Sequence, residues 1–130
     1  MFWRKKKPNP RRKPALTKGR RHYLAHKELT RKIVLEKIEY WNQFYNYQYG
    51  QVRIKMVKTR WGSCSSKGNL NFNYKIIFLP EHLQDYIIVH ELCHLEQLNH
   101  SAAFWSLVER TLPNYKNCVR ELRKMHIAVK

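Results

Sequence analysis

The chain has 130 residues, enough for one domain with a hydrophobic core but not for two. Its 26 lysines and arginines outnumber its 9 acidic residues, so the formal net charge is +17 at pH 7. This charge favours a polyanionic partner such as nucleic acid or a nucleotide phosphate, although a solvated surface has the same composition. The apolar runs fall far short of the about 20 residues that span a bilayer, which excludes a transmembrane protein.

The cysteines predict a cytoplasmic location. They stand at positions 64, 93 and 118, an odd number without a C-x-x-C pair. This pattern is typical of reduced thiols rather than of a disulfide framework. The first eight residues also lack the apolar segment of a secretory signal.

Residues 1–21 predict a basic, disordered arm. They contain ten lysines and arginines, three prolines and no acidic residue, and Gly19 closes the segment. The arm is a candidate for contact with nucleic acid, and a solvated tail is the alternative. The folded domain is then expected over residues 22–130.

The first ordered element is predicted to be an amphipathic helix of about 22 residues that begins at Tyr23. Apolar side chains recur in it at steps of three and four, with charged residues between them. The aromatic residues from Tyr40 to Tyr49 could stack on nucleic-acid bases. Such a stripe belongs far more often to a core, which is the interpretation adopted here.

Two later segments, residues 52–57 and 69–75, alternate apolar and polar residues, which is typical of half-buried strands. A polar turn over residues 59–68 joins them, so the pattern predicts a small antiparallel sheet. Residues 76–78 are expected to extend it or to form a further short strand. The residues of the second strand that are expected to face outward are Asn69, Asn71 and Asn73.

The most specific single motif is H-E-x-x-H at residues 90–94, inside an apolar segment that predicts a buried helix. Residues i and i+4 of a helix lie about 6 Å apart on one face, so His90 and His94 can point at one ion. Glu91 lies beside them, where it can reach a water on that ion. Burying these side chains without partners would cost several kcal/mol, and a metal ion removes that cost.

His100 can supply a third ligand if the helix ends before it. On a straight helix this residue would point to the far side. The chain is therefore expected to turn after about Leu98, with Asn99 in the left-handed conformation. Three histidines with one open coordination position are typical of a catalytic zinc site.

The chain beyond the metal ligands predicts two closing helices. Ser101 fits the N-cap of a helix over residues 102–112, and Asn114 fits the cap of a last helix. Pro80 suits the first turn of the metal-binding helix. The predicted fold class is α+β, with a long N-terminal helix, a small antiparallel sheet, the H-E-x-x-H helix and two C-terminal helices.

Three segments carry a more specific pattern: T-R-W-G-S-C-S at residues 59–65, H-E-L-C-H-L at 90–95 and H-S-A-A-F-W at 100–105. Together they resemble the YgjP-like metal-dependent hydrolases, zincin-like proteins akin in fold to the minigluzincin, SprT-like and WLM-type metallopeptidases. The resemblance runs from about Tyr23 to Met125 and implies a zincin-like fold. It also implies that zinc is held by His90, His94 and His100, with Glu91 as catalytic acid and base.

The ligand spacing also matches that of the metzincins. Gln97 stands where those enzymes have a glycine, and no obvious Met-turn follows. Metzincin membership is therefore rejected.

Three functions remain open at this point. The favoured one is a metallopeptidase in which Glu91 activates a zinc-bound water to cleave a polypeptide. The second is a nucleoside triphosphate pyrophosphohydrolase of the UTP type, an activity also attributed to this family, although the sequence has no glycine-rich phosphate loop. The third is a basic nucleic-acid-binding module with structural zinc, which usually needs a fourth protein ligand that is not obvious here.

Several residues are candidates for contact with the substrate. Arg60 is the first candidate to stabilise the transition state, followed by His126 and Tyr115, and the alternative is that Arg60 has a structural role in its turn. Residues 69–74 are expected to form an exposed edge strand that pairs with an extended peptide. The residues of this strand predicted to bind substrate are Asn71 and Asn73.

Overall fold

The computed structural model describes residue 11 and residues 15–125, and it confirms the α+β class. Helices and a small sheet follow one another in the predicted order, with one 3₁₀ helix before the H-E-x-x-H helix. Most of the predicted basic arm, and His126, lie outside the described residues. The elements are α1 (Lys18–Asn42), β1 (Val52–Lys55), β2 (Gly62–Cys64), β3 (Leu70–Asn73), the 3₁₀ helix (Tyr74–Phe78), α2 (Glu81–Cys93), α3 (Ala102–Thr111) and α4 (Tyr115–Lys124).

The sheet is mixed rather than antiparallel, with the strand order β1-β3-β2. β1 runs parallel to β3, with Val52 opposite Leu70. β2 runs antiparallel to β3, with Ser63 opposite Asn71. The purely antiparallel prediction is wrong because β2 lies inside the segment that was assigned to a turn. Three residues are too short a stretch to show a period of two, so the pattern did not reveal this strand.

β3 is the central strand, so residues 69–74 do not form the predicted edge. Both of its sides are already paired with a neighbouring strand. Asn73 is fully buried rather than facing outward, and its Nδ2 donates to the carbonyl oxygens of Val57 (2.9 Å) and Arg60 (3.0 Å). Asn73 Oδ1 accepts a hydrogen bond from the backbone N–H of Lys75 and so caps the 3₁₀ helix. Residues 76–78, for which a strand was predicted, belong to this helix.

α1 covers the outer edge of β1. The hydroxyl of Tyr23 donates to the carbonyl of Ile54 (2.9 Å), and Arg31 donates to the carbonyl of Val52 (2.8 Å). Such side-chain contacts satisfy backbone groups that would otherwise template another strand. The edge of the sheet that stays open in the described structure is therefore the one formed by β2.

α1 begins five residues before the predicted start at Tyr23 and ends at Asn42. The hydroxyl of Thr17 accepts a hydrogen bond from the backbone N–H of Arg20 (3.1 Å) and so caps the helix. Residues 18–21, which the sequence placed in the arm, are therefore helical. The aromatic stripe is only partly core, because Tyr40 and Phe44 are exposed.

The core lies around α2, which packs against α1, α3, α4 and β2. This central position explains why the helix is apolar on most of its circumference. In the described chain, no helix has both the length and the hydropathy needed to cross a membrane. The core residues that α2 contributes are Leu83, Tyr86, Ile87, Ile88, Val89, Leu92 and Cys93.

An ion-pair network fixes the start of α2 against α1. Lys37 Nζ lies 2.7 Å from Asp85 Oδ1 and 3.2 Å from Glu81 Oε1. Trp41 Nε1 donates to the same Asp85 oxygen (3.2 Å). Partial burial works to lower the pKa of Lys37, but the two carboxylates outweigh it and the pKa is raised. The network therefore holds a charged lysine at a half-buried helix contact.

We predict that Lys37→Met lowers the free energy of unfolding by about 1–2 kcal/mol, because Asp85 loses a charged partner while it stays largely shielded from water. Urea denaturation followed by circular dichroism measures the change. Lys32→Met is the matched control, since Lys32 is exposed on the same helix and takes part in none of the ion pairs of the described chain. Equal losses in the two variants would contradict a role for the network.

Candidate metal centre and active site

Three imidazoles converge at the C-terminal end of α2. The Nε2 atoms of His90 and His94 lie 3.1 Å apart, those of His94 and His100 lie 3.1 Å apart, and those of His100 and His90 lie 3.2 Å apart. The three nitrogens thus form a nearly equilateral triangle. Among the described residues these histidines form a group able to hold a metal ion.

The chain reaches this arrangement by ending the helix earlier than predicted. α2 stops at Cys93, and His94 is its C-cap. Beyond Cys93, some backbone hydrogen bonds join residues three apart rather than four, for example from Leu95 N–H to the Leu92 carbonyl (3.0 Å). Such hydrogen bonds tighten the last turn. The expectation of a left-handed Asn99 is wrong, because the only non-glycine residue with positive φ in the described chain is Asn46.

The turn is fixed by one of the ligands themselves. His94 Nδ1 donates to the carbonyl oxygen of Gln97 (2.9 Å), which directs the lone pair of its Nε2 at the other two rings. Ser101 then caps α3 as predicted, since its hydroxyl accepts from the backbone N–H of Phe104 (3.3 Å). The cap starts α3 directly after His100 and so helps to hold that ring against α2.

The spacing of the three nitrogens suits a metal ion. The Nδ1 of His90 lies 3.0 Å from the hydroxyl of Tyr86, and the Nδ1 of His94 is already a donor. With its proton on Nδ1, His94 turns the lone pair of its Nε2 toward the other two rings, where it can coordinate a cation. Ligands placed tetrahedrally at about 2.0–2.1 Å from zinc lie about 3.3 Å apart, close to the observed separations.

Burial keeps the imidazoles neutral, the form that binds a metal. Desolvation, followed by the neighbouring His94 and His100, lowers the pKa of His90 to about 3. The pKa of His94 is also lowered, mainly by burial and in part by His100, although its hydrogen bond to Gln97 acts in the opposite direction. The donor set is therefore ready to bind a cation at neutral pH.

Aromatic rings pack around the ligands. Phe104 stacks on His94 with ring centroids 4.4 Å apart and planes 16° apart. Trp105 stacks on His100 with centroids 5.8 Å apart and planes 23° apart, and Tyr115 stacks on Trp105 at 5.1 Å and 13°. His100 is the most exposed of the three histidines and lies beyond α2, so this stack helps to hold its ring in place.

Glu91 lies under the edge strand β2. Its side chain is 5% exposed, and burial raises its pKa to about 8, while the positive charge of Arg60 works to lower it. A Cβ at Gly62 would lie 3.0 Å from both Cγ and Oε2 of Glu91 and 3.2 Å from the Asn71 carbonyl oxygen. Glycine at this position therefore lets the strand approach the carboxylate closely.

A pocket of about 310 Å³ opens beside His90 and Glu91, and Arg60 lines it as the sequence suggested. Asn71 and Asn73 do not line it. They line a smaller cavity of about 50 Å³ instead. The pocket is bounded by Arg60, Trp61, Gly62, Tyr86, Ile87, His90, Glu91, Val119, Leu122 and Arg123.

The sequence reasoning overlooked two residues of the site. Tyr86 stands four positions before His90, so the same i, i+4 rule that paired the histidines would have found it. Arg123 is brought to the pocket by the packing of α4, and no local spacing indicates this. Tyr115, a candidate for transition-state stabilisation, instead stacks on Trp105.

We predict that Tyr86→Phe weakens the binding of zinc, used as a probe ion, by about tenfold, because partners that orient a ligating histidine typically contribute this much. Competition with a chromophoric chelator measures the dissociation constant. Tyr40→Phe is the control, since Tyr40 is 55% exposed on α1. An unchanged affinity in Tyr86→Phe would show that the hydroxyl does not orient His90.

A family model described as the YgjP-like, metallopeptidase domain matches residues 4–125. The match begins well before Tyr23, so it includes most of the basic arm that the resemblance left out. Among solved structures, the metallopeptidase zymogen abylysin of Pyrococcus abyssi has a TM-score of 0.63 and 31% identity, over 71% of this chain and 94% of that one.

The metallopeptidase zymogen jannalysin of Methanocaldococcus jannaschii shares the fold, with a TM-score of 0.57 and 24% identity, over 73% of this chain and 94% of that one. No curated protein sequence matches the chain at a comparable level of significance. The family model covers all the described residues and abylysin is 31% identical, so this chain belongs to the family of YgjP-like metallopeptidase domains.

Proposed function

We propose that this protein is a zinc-dependent peptidase in which Glu91 is the general base and acid. The observation that carries the proposal is the convergence of three Nε2 atoms beside a buried carboxylate, beneath the open edge of a sheet. The group holds three ligands among the described residues. Three protein ligands are typical of catalytic zinc, whereas structural zinc usually has four.

The donor set suits zinc, because neutral imidazoles are among its preferred ligands. A zinc ion held there would act as a Lewis acid toward the peptide carbonyl and would increase the acidity of a nearby water. The protein's own contribution begins with Glu91. Its carboxylate accepts the proton of the attacking water and then passes it to the leaving amine.

The edge strand β2 would align the substrate. The Trp61 carbonyl accepts from Asn73 N–H (2.8 Å) and the Ser65 N–H donates to the Asn69 carbonyl (2.9 Å), so the odd-numbered residues face β3. In an antiparallel pair, successive residues direct their N–H and C=O groups alternately toward and away from the partner strand. The N–H and C=O groups of Gly62 and Cys64 therefore point away from β3, toward the open edge of the sheet. An extended peptide can add to such an edge through main-chain hydrogen bonds.

In this proposal β2, rather than residues 69–74, is the edge strand that pairs with the substrate. Because Gly62 is the residue whose Cβ position meets Glu91, a peptide paired with it would have its backbone close to the carboxylate and to His90. Arg60 lines the same pocket and is the candidate to stabilise the charge of the tetrahedral intermediate.

The cytoplasm remains the predicted location, since Cys64, Cys93 and Cys118 are free thiols, as expected in a reducing compartment.

Glu91→Gln is expected to reduce the hydrolysis of an unfolded polypeptide by at least about a hundredfold, because the amide cannot accept the proton of the attacking water. Zinc should still bind, since the imidazoles are untouched. Glu96→Gln is the matched control, because Glu96 is an exposed residue just beyond the helix.

The same proteins are also incubated with nucleoside triphosphates. Pyrophosphate release that depends on Glu91, without peptide cleavage, would favour the pyrophosphohydrolase instead.

Gly62→Ala is expected to lower kcat/KM by about tenfold to a hundredfold, because the methyl group must displace the Glu91 side chain or the β3 backbone. Zinc affinity should remain that of the wild type, since the methyl group meets Glu91 and the Asn71 carbonyl rather than the imidazoles. Gly19→Ala is the control, because a Cβ there meets nothing within 4 Å. Full activity in Gly62→Ala would contradict the close approach of β2 to the catalytic carboxylate.

A further inference from the structure

Two arginines from distant parts of the chain line the pocket beside Glu91. Arg60 comes from the loop before β2, and Arg123 comes from the last turn of α4. The ion pairs of the described chain involve Lys37 and His82, and no carboxylate among residue 11 and residues 15–125 lies within salt-bridge distance of either arginine. Both guanidinium groups are therefore available to an anionic group of a ligand.

The positive charge continues into a neighbouring pocket of about 390 Å³. The two pockets share Val119 and Arg123, so they are neighbours, and we refer to the two together as the groove. Lys116, Arg120 and Arg123 stand at i, i+4 and i+7 of α4, which places them along one face of the helix.

The acidic residue of α4 lies away from this face. Glu121 pairs with His82, with Oε2 and Nε2 2.9 Å apart, and lines a different pocket. The only carboxylate among the residues that line the groove is the catalytic Glu91. The groove is therefore strongly positive apart from the residue that performs the chemistry.

The first pocket also has a broad apolar surface. Its lining includes Trp61, Ile87 and Leu122 as well as the two arginines. A ligand group that fits these surroundings has an aliphatic stem and a negatively charged end, and a glutamate side chain has both. A phosphate lacks the stem, and the lining shows no glycine-rich loop of backbone N–H groups to hold one.

The position of the pocket agrees with a polypeptide ligand. Its lining includes Gly62, whose backbone faces the open edge of the sheet, together with His90 and Glu91. A peptide paired with β2 would present side chains to this pocket close to the bond that is cleaved.

We propose that this groove selects acidic polypeptide segments, and that Arg123 binds a glutamate or aspartate side chain next to the scissile bond. Lys116 and Arg120 extend the positive surface to further acidic residues of the same segment. The proposal rests on the peptidase function proposed above and names the class of substrate for it.

The test uses matched pairs of fluorogenic peptides that differ only by Glu or Gln at the positions flanking the cleaved bond. We expect the zinc-loaded protein to favour the Glu peptide by about fivefold in kcat/KM, because the contact is charge-assisted but accessible to solvent. The preference should fall as salt is added, since salt screens exposed charges. In Arg123→Gln the ratio should approach one.

A charge reversal makes the test independent of any general weakening of the enzyme. Arg123→Glu should prefer a Lys peptide over its Gln counterpart. Lys124→Gln is the matched control, because Lys124 carries the same charge on the same helix turn but lines neither pocket. It should keep the wild-type ratio.

The possible failures are distinguishable. Equal rates on the Glu and Gln peptides, or a ratio that neither Arg123 variant changes, would overturn the substrate preference and leave the peptidase intact. Cleavage of no peptide, or cleavage that survives in Glu91→Gln, would overturn the proposed function itself. Competition by a nucleoside triphosphate that is lost in Arg123→Gln, with a peptide ratio of one, would assign the groove to phosphates.

Discussion

The structure depends on one constraint, which is that three imidazole Nε2 atoms are held within 3.2 Å of one another. At this spacing the three nitrogens can coordinate one cation between them. Much of the chain near the site serves this arrangement. Tyr86 contacts the distal nitrogen of His90, the Gln97 carbonyl contacts that of His94, and Trp105 stacks on His100.

The same helix that carries two of the ligands is also the centre of the hydrophobic core. α2 packs against α1, α3, α4 and β2, and the Lys37–Asp85 pair fixes its beginning. The C-terminal end of α2 is fixed by His94, which contacts the Gln97 carbonyl in the turn that follows. Because the core and the site share this helix, the position of Glu91 relative to β2 is set by packing, and Gly62 supplies the space for that contact.

The sequence was sufficient to predict features that depend on residues close together along the chain. The pairing of His90 with His94 follows from the helical repeat, and the cap at Ser101 follows from the preference of serine for helix starts. The sequence was insufficient to predict features that depend on contacts between residues far apart along the chain. The sheet order depends on β2, a strand too short to show a period, and the burial of Asn73 depends on hydrogen bonds to Val57 and Arg60. The tight turn after Cys93 was missed because it is held by a side-chain contact of His94 rather than by a glycine or asparagine.

The central claim is that His90, His94 and His100 hold one metal ion through their Nε2 atoms. X-ray absorption at the zinc edge, on protein equilibrated with zinc and freed of excess metal, tests it most directly. The account predicts one zinc per chain, nitrogen and oxygen neighbours at about 2.0 Å and the scattering pattern of three imidazole rings. A sulfur neighbour at about 2.3 Å, or no retained zinc, would contradict it.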